Sequence, residues 1–173
     1  MGILDDLGDL ARKYAGGAVA TEDVHSAYDQ VSRSVPTGAL ADGLAHAFHS
    51  DQTPPFGQML SQLFNQSSPD QKAELLNKII GALGPDGVSK VLAGAGGLGG
   101  LAGALSGGGH VTPAQAEQVT PEQVQVLAKH AEQKNPSIVN AAAGFYAQHP
   151  TLVKAIGAGA LALLVSKISQ TRR

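Results

Sequence analysis

The sequence predicts an all-α fold, a compact bundle of roughly nine to ten short helices forming two helical halves around a glycine-rich segment. Along most of the chain, apolar residues recur at the three- and four-residue spacing of a helical face. Serine or threonine directly precedes proline at Ser68, Thr112 and Thr120, a signature of helix starts. No stretch shows the clear alternation of apolar and polar residues that is typical of a strand. Helices are therefore expected to supply the core.

Composition limits the classes of protein to consider. The 173 residues suffice for one domain or two small ones with a buried core. Hydrophobic residues make up 43% but aromatic residues only 4%, which is typical of closely packed helices rich in Ala, Leu and Val. The absence of cysteine excludes disulfides, thiolate catalysis and zinc–thiolate sites. A net charge of −2 gives no indication of a nucleic-acid partner.

The N-terminal half, residues 1–93, is predicted to be a series of amphipathic helices. The first has three aspartates opposite its apolar face and ends at Gly16-Gly17. Later boundaries are predicted at Pro36, Pro54-Pro55, Ser68-Pro69 with its capping residue Gln71, and Gly84-Pro85. The predicted buried faces are Val24, Ala27, Tyr28 and Val31; Leu40, Leu44 and Phe48; Phe56, Met59, Leu60, Leu63 and Phe64; and Leu75, Leu76, Ile79, Ile80 and Leu83.

The C-terminal half, residues 111–173, repeats the same start signal. Thr112-Pro-Ala-Gln115 and Thr120-Pro-Glu-Gln123 each place a capping threonine before proline and a glutamine three residues after the cap. Asn135-Pro136 and His149-Pro150 are predicted to open two further helices. The predicted buried faces are Val124, Leu127, Ala128 and Ala131, followed by Ile138, Val139, Ala142, Phe145 and Tyr146.

The connecting segment, residues 94–110, contains the run GAGGLGGLAGALSGGG. Gly94, Gly96 and Gly99 match a dinucleotide-binding pattern, which needs a preceding strand, and Val88–Ala93 is the candidate strand. Alternatively, Gly99, Gly103 and Gly107 form a small-residue face at four-residue spacing, on which another helix could pack closely. A flexible linker and a buried, closely packed helix are the remaining alternatives.

One group of side chains has metal-ligand chemistry. Asp42, His46 and His49 are spaced four and three residues apart, on the opposite side of their helix from Leu40 and Leu44. Two imidazoles and a carboxylate suit a divalent transition metal. The alternative is an ordinary solvated helix face.

The last predicted helix, Leu152–Ile168, is apolar around its whole circumference. Such a helix is enclosed by other helices or lies in lipid. Seventeen residues span about 25 Å, the lower edge of membrane-spanning length. The sequence therefore leaves a core helix and a membrane anchor open, and the residues expected at a membrane contact are Leu152, Ile156, Leu161, Leu164 and Ile168.

Charge is unevenly distributed along the chain. Residues 1–51 carry three Lys/Arg against eight Asp/Glu, and residues 111–173 carry six against three. Complementary surfaces on one chain predict a homo-oligomer with head-to-tail contacts. No catalytic signature or cofactor motif is supported, so an enzyme is not expected.

The opening MGILDDLGDL and the proline-started helices around a glycine-rich middle resemble the YidB-like group of uncharacterised bacterial proteins. The resemblance implies a small helical protein, cytoplasmic or membrane-associated, with no catalytic residues to transfer. The absence of a basic-then-apolar signal peptide also favours the cytoplasm. The sequence thus predicts a non-catalytic helical interaction or self-assembly protein; the alternative is a peripheral or tail-anchored membrane protein.

Overall fold

The computed structural model describes residues 21–94, 102–103 and 110–171. These residues form α-helices joined by short turns and one 3₁₀ turn, with no strand in the described ranges, which confirms the all-α prediction. The helices are α1 (Thr21–Ser34), α2 (Thr37–His49), α3 (Phe56–Gln66), α4 (Pro69–Gly94), α5 (Pro113–Glu117), α6 (Pro121–Lys134), α7 (Ser137–Ala147), α8 (Pro150–Val153) and α9 (Ala158–Thr171), with the 3₁₀ turn at Lys154–Ile156.

Contacts divide the chain into two compact units. Unit 1 comprises Met1–Pro54 and Ala143–Arg173, and unit 2 comprises Pro55–Ala142. This grouping differs from the two sequence-based halves, because unit 1 takes segments from both ends of the chain. A helix's periodicity shows which face is buried, but it carries no information about which distant helix covers that face.

Unit 1 is built around α9, which packs against α1 and α2. The helices α2 and α9 approach closely at Gly43 of α2, where an added Cβ would lie 3.0 Å from Cγ1 of Ile168 and 3.3 Å from Cγ of Leu164. Glycine at this position lets the two helices pack at short range. The C-terminal helix therefore lies in the same core as the helices near the N-terminus.

Two polar contacts also join distant segments of unit 1. The buried Tyr28 donates its hydroxyl proton to the carbonyl oxygen of Pro150 at 2.9 Å. The next residue of α1, Asp29, forms the second contact: its carboxylate lies 2.7 Å from the ammonium group of Lys154. Both contacts fix the short segment before α9 against α1.

Unit 2 is built around α6, which packs against α3 and α4, while α5 packs against α4. Asn77 of α4 makes reciprocal hydrogen bonds with the backbone of Val111: its Oδ1 accepts from the amide at 2.8 Å, and its Nδ2 donates to the carbonyl at 3.2 Å. The buried Val111 follows the glycine-rich segment. The Asn77 side chain thus holds the backbone of Val111 against α4, at the point where the chain continues after the glycine-rich segment.

The predicted helix starts and buried faces are largely confirmed. Thr112 and Thr120 both form complete capping boxes, and Ser68 exchanges the same two hydrogen bonds with Gln71. Of the predicted core positions in residues 24–146, only Ile80 falls short of full burial. Local sequence therefore determined where these helices begin and which sides face inward.

The structure corrects two interpretations of the sequence: the candidate strand Val88–Ala93 and the unbroken helix Leu152–Ile168. Gly84 adopts φ of 69° and breaks α4, as its glycine–proline pair predicted, but helix resumes at Pro85 and runs to Gly94. Proline suits the first position of this second segment, because its missing N–H is not needed there. Val88–Ala93 is therefore helical and not a strand, and it cannot deliver a dinucleotide-binding loop in the way the pattern requires.

The second correction concerns Leu152–Ile168, predicted as one continuous helix. Gly157 adopts φ of 95° and separates the 3₁₀ turn from α9. An L-residue with a side chain rarely adopts this conformation, so glycine permits the interruption at this position. No helix in the described ranges has the length and apolar character needed to cross a bilayer.

Candidate functional site

The structure does not assemble the predicted metal site. Asp42, His46 and His49 are all exposed on α2, opposite the face that packs on α9. No group of three His, Cys, Asp or Glu side chains among the described residues is arranged to hold a metal ion. Helical spacing put the three residues on one side of the helix, but it did not bring their ligand atoms to one point.

The small-residue face lies mostly outside the described residues, since it comprises Gly99, Gly103 and Gly107. Gly103 alone is described; it is helical and exposed. A Cβ added at Gly103 would have no atom of another described residue within 4 Å. The alternative of a buried, closely packed helix therefore does not hold at Gly103 with respect to the described residues.

The residues expected at a membrane contact are instead mostly core residues of unit 1. Ile156, Leu161, Leu164 and Ile168 are each at most 3% exposed, and only Leu152 is partly accessible. Three of the buried side chains belong to α9, which is covered by α1 and α2. Lipid could reach them only if unit 1 opened, so the core alternative describes this helix.

The charge asymmetry seen in the sequence acts partly within one chain. Asp29 lies in the acidic N-terminal part and Lys154 in the basic C-terminal part, yet they form an ion pair in unit 1. Their side chains are 39% and 29% exposed, so solvent screens the attraction.

Tyr28 is the described residue whose acidity is clearly altered by the fold. Burial, and to a lesser extent the Asp29 carboxylate, raise the pKa of the Tyr28 hydroxyl well above its ordinary value. Both causes oppose the phenolate form. The hydroxyl therefore remains a hydrogen-bond donor to Pro150 through the physiological range.

We expect stability to fall at alkaline pH partly because of Tyr28. Above about pH 10 the unfolded chain releases this proton while the folded chain retains it, so the free energy of unfolding decreases as pH rises. Tyr28→Phe should cost about 1 kcal/mol at neutral pH, through the lost hydrogen bond, but should show a shallower alkaline decline. Urea unfolding of both proteins from pH 8 to about pH 11 checks this. Parallel pH profiles would contradict the assignment.

Unit 2 contains a cleft that no sequence motif predicted. Its volume is about 370 Å³, and it lies between α4, around and after its break at Gly84, and the end of α6. Its lining residues are Leu83, Asp86, Gly87, Lys90, His130, Gln133 and Lys134. The size is at the lower end of the range of small-molecule sites. This cleft is the candidate binding site of the described structure.

Helical spacing explains how each wall presents its polar groups. Asp86 and Lys90 are four residues apart on α4, and His130 and Lys134 are four apart on α6, so each pair lies on one helix face. The four-residue spacing of these polar residues is visible in the sequence of each helix separately. Only the packing of α4 on α6 placed the two pairs around one space.

Compared with known proteins, the chain matches no protein-family model, no curated protein and no solved structure, so its own geometry is the basis for any functional conclusion.

Proposed function

We propose that the protein is a non-catalytic helical interaction protein that self-associates head to tail. The observation that carries this proposal is the state of the acidic side chains in residues 21–51. Glu22, Asp23, Asp42 and Asp51 are exposed, and none forms an ion pair with another described residue. These carboxylates remain accessible to the basic part of a second copy.

The pair formed by Asp29 and Lys154 supports the proposed complementarity. It joins the acidic and basic parts of the sequence at 2.7 Å, which is the kind of contact a second copy would repeat. Exposed charge pairs contribute only about 0–1 kcal/mol each. Charge would therefore steer the encounter and set the orientation, and would not by itself hold the assembly.

Packing has to supply the remaining affinity. Among the described residues, the one large hydrophobic side chain that is exposed is Val126, at 36%. The proposal therefore assigns the holding contact to the small-residue face, of which Gly103 is exposed on a helical turn. Small residues let helices approach closely and gain dispersion energy. The resemblance to the YidB-like group supports a bacterial protein in a cytoplasmic or membrane-adjacent setting.

Light scattering at increasing protein concentration tests self-association. The wild-type chain is expected to form oligomers at low salt, and Gly103→Leu is expected to shift it to monomer. Gly81→Leu is the matched control, because Gly81 is also an exposed helical glycine with open space around an added Cβ. Circular dichroism must show that both variants are folded.

A second pair of variants tests the role of charge. The double variant Asp42→Asn/Asp51→Asn should associate more slowly, whereas Glu117→Gln/Glu122→Gln removes the same charge from the basic part and should not slow association. A wild-type protein that remains monomeric at high concentration and low salt would overturn the proposal.

A further inference from the structure

We propose that the cleft of unit 2 binds the phosphate group of a small phosphorylated molecule. This inference concerns a binding site within one chain and does not depend on self-association. Three observations support it: the volume of the cleft, the cationic groups that line it, and the position that the break in α4 gives to Lys134.

The break in α4 positions Lys134. Its Nζ lies 3.5 Å from where a Cβ on Gly84 would be, and its Cδ lies 3.5 Å from the corresponding point on Gly87. The lysine stem therefore passes the two glycines of this stretch, Gly84 and Gly87, which have no side chains to block it. Its ammonium group is brought to the start of the second helical segment, where backbone N–H groups without helical acceptors add partial positive charge.

The other polar groups make the cleft cationic overall. Lys90 lines the cleft from the α4 side. Neither Lys90 nor Lys134 forms an ion pair with another described residue. Asp86 is the single carboxylate in the lining. Two ammonium groups against one carboxylate leave a net positive charge, and lysine binds phosphate as a point charge without strict geometric demands.

His130 adds a directional contact. Its Nδ1 lies 2.9 Å from the carbonyl oxygen of Val126, which can only accept, so Nδ1 carries the hydrogen and donates it. This hydrogen bond to the preceding turn of α6 holds the imidazole ring in place. It leaves Nε2 as the nitrogen available to a ligand. In the imidazolium form, Nε2–H would donate to a phosphate oxygen.

The lining also limits the rest of the ligand. Leu83 and Gly87 form a buried apolar part of the wall, which suits a short carbon skeleton. Asp86 can accept a hydrogen bond from a ligand hydroxyl. The combination favours a hydroxylated phosphate monoester of metabolite size, for which about 370 Å³ is sufficient.

Titration of the full-length ¹⁵N-labelled chain tests the proposal, with inorganic phosphate and glycerol phosphate as probes at constant ionic strength. Both should shift the amide signals of Gly87, Lys90 and His130 saturably. Lys90→Gln and Lys134→Gln should each weaken binding about tenfold, because each removes a charge-assisted contact. Amide spectra resembling those of the wild type confirm that these exposed-site variants remain folded.

Lys129→Gln is the matched control, since Lys129 is exposed on the same helix but does not line the cleft. Its affinity for phosphate should equal that of the wild type. Equal weakening by all three variants, or no saturable shift, would overturn the proposal. Succinate serves as the carboxylate probe: tighter binding of succinate than of either phosphate would overturn the assignment to phosphate. If the protein is monomeric and still binds phosphate, the result contradicts the proposed self-association and leaves the phosphate site supported.

Discussion

Leu161→Ala is expected to lower the free energy of unfolding by about 2–5 kcal/mol, the usual range for truncating a fully buried leucine. Leu161 has no exposed surface and lies on α9, which forms the core of unit 1 with α1 and α2. Truncation removes apolar contacts and leaves a cavity that a close-packed core cannot fully close. Urea unfolding followed by circular dichroism measures the loss.

Leu152→Ala provides the control for this prediction. Leu152 lies in the same C-terminal stretch but is only partly buried, so the loss should be clearly smaller. Deleting residues 151–173 should unfold unit 1, because its central helix is removed. A cooperative melt unchanged by this deletion, or equal effects of the two leucine variants, would contradict the role assigned to α9.

Gly57→Ala is expected to destabilise unit 2 by about 1–3 kcal/mol, the usual cost of adding volume to a closely packed site. An added Cβ would lie 2.9 Å from the backbone carbonyl oxygen of Gln125, at the contact between α3 and α6. A backbone atom cannot move aside as a flexible side chain can. The helices would have to separate, which weakens the apolar contacts around them.

Gly81→Ala should have the opposite sign. Gly81 is an exposed helical residue on α4, and an added Cβ there meets nothing within 4 Å. Alanine costs less conformational entropy than glycine in a helix, so a gain of up to about 1 kcal/mol is expected. Urea midpoints of the two variants provide the comparison. Stabilisation by both substitutions would show that α3 and α6 do not approach closely at Gly57.

The cleft shows what could not be predicted for the candidate site. Lys90 and Lys134 are unremarkable surface lysines in the sequence, 44 residues apart by their numbers. By contrast, the metal hypothesis came from residues 42, 46 and 49 because short spacing on one helix is visible in a sequence. A site formed by two helices depends on their packing angle and register, neither of which has a local signature.

The sequence by itself determined the helical class, most helix starts and the buried faces of most of the longer helices. These features depend on interactions within about one helical turn, such as the capping boxes at Thr112 and Thr120 and the spacing of apolar residues. The pairing of α9 with α1 and α2, the interruption at Gly157 and the walls of the cleft were decided only in the tertiary structure. The physical reason is that the hydrophobic effect rewards the burial of an apolar face without specifying its partner, so shape complementarity, as at Gly43 and Gly57, selects which helices meet.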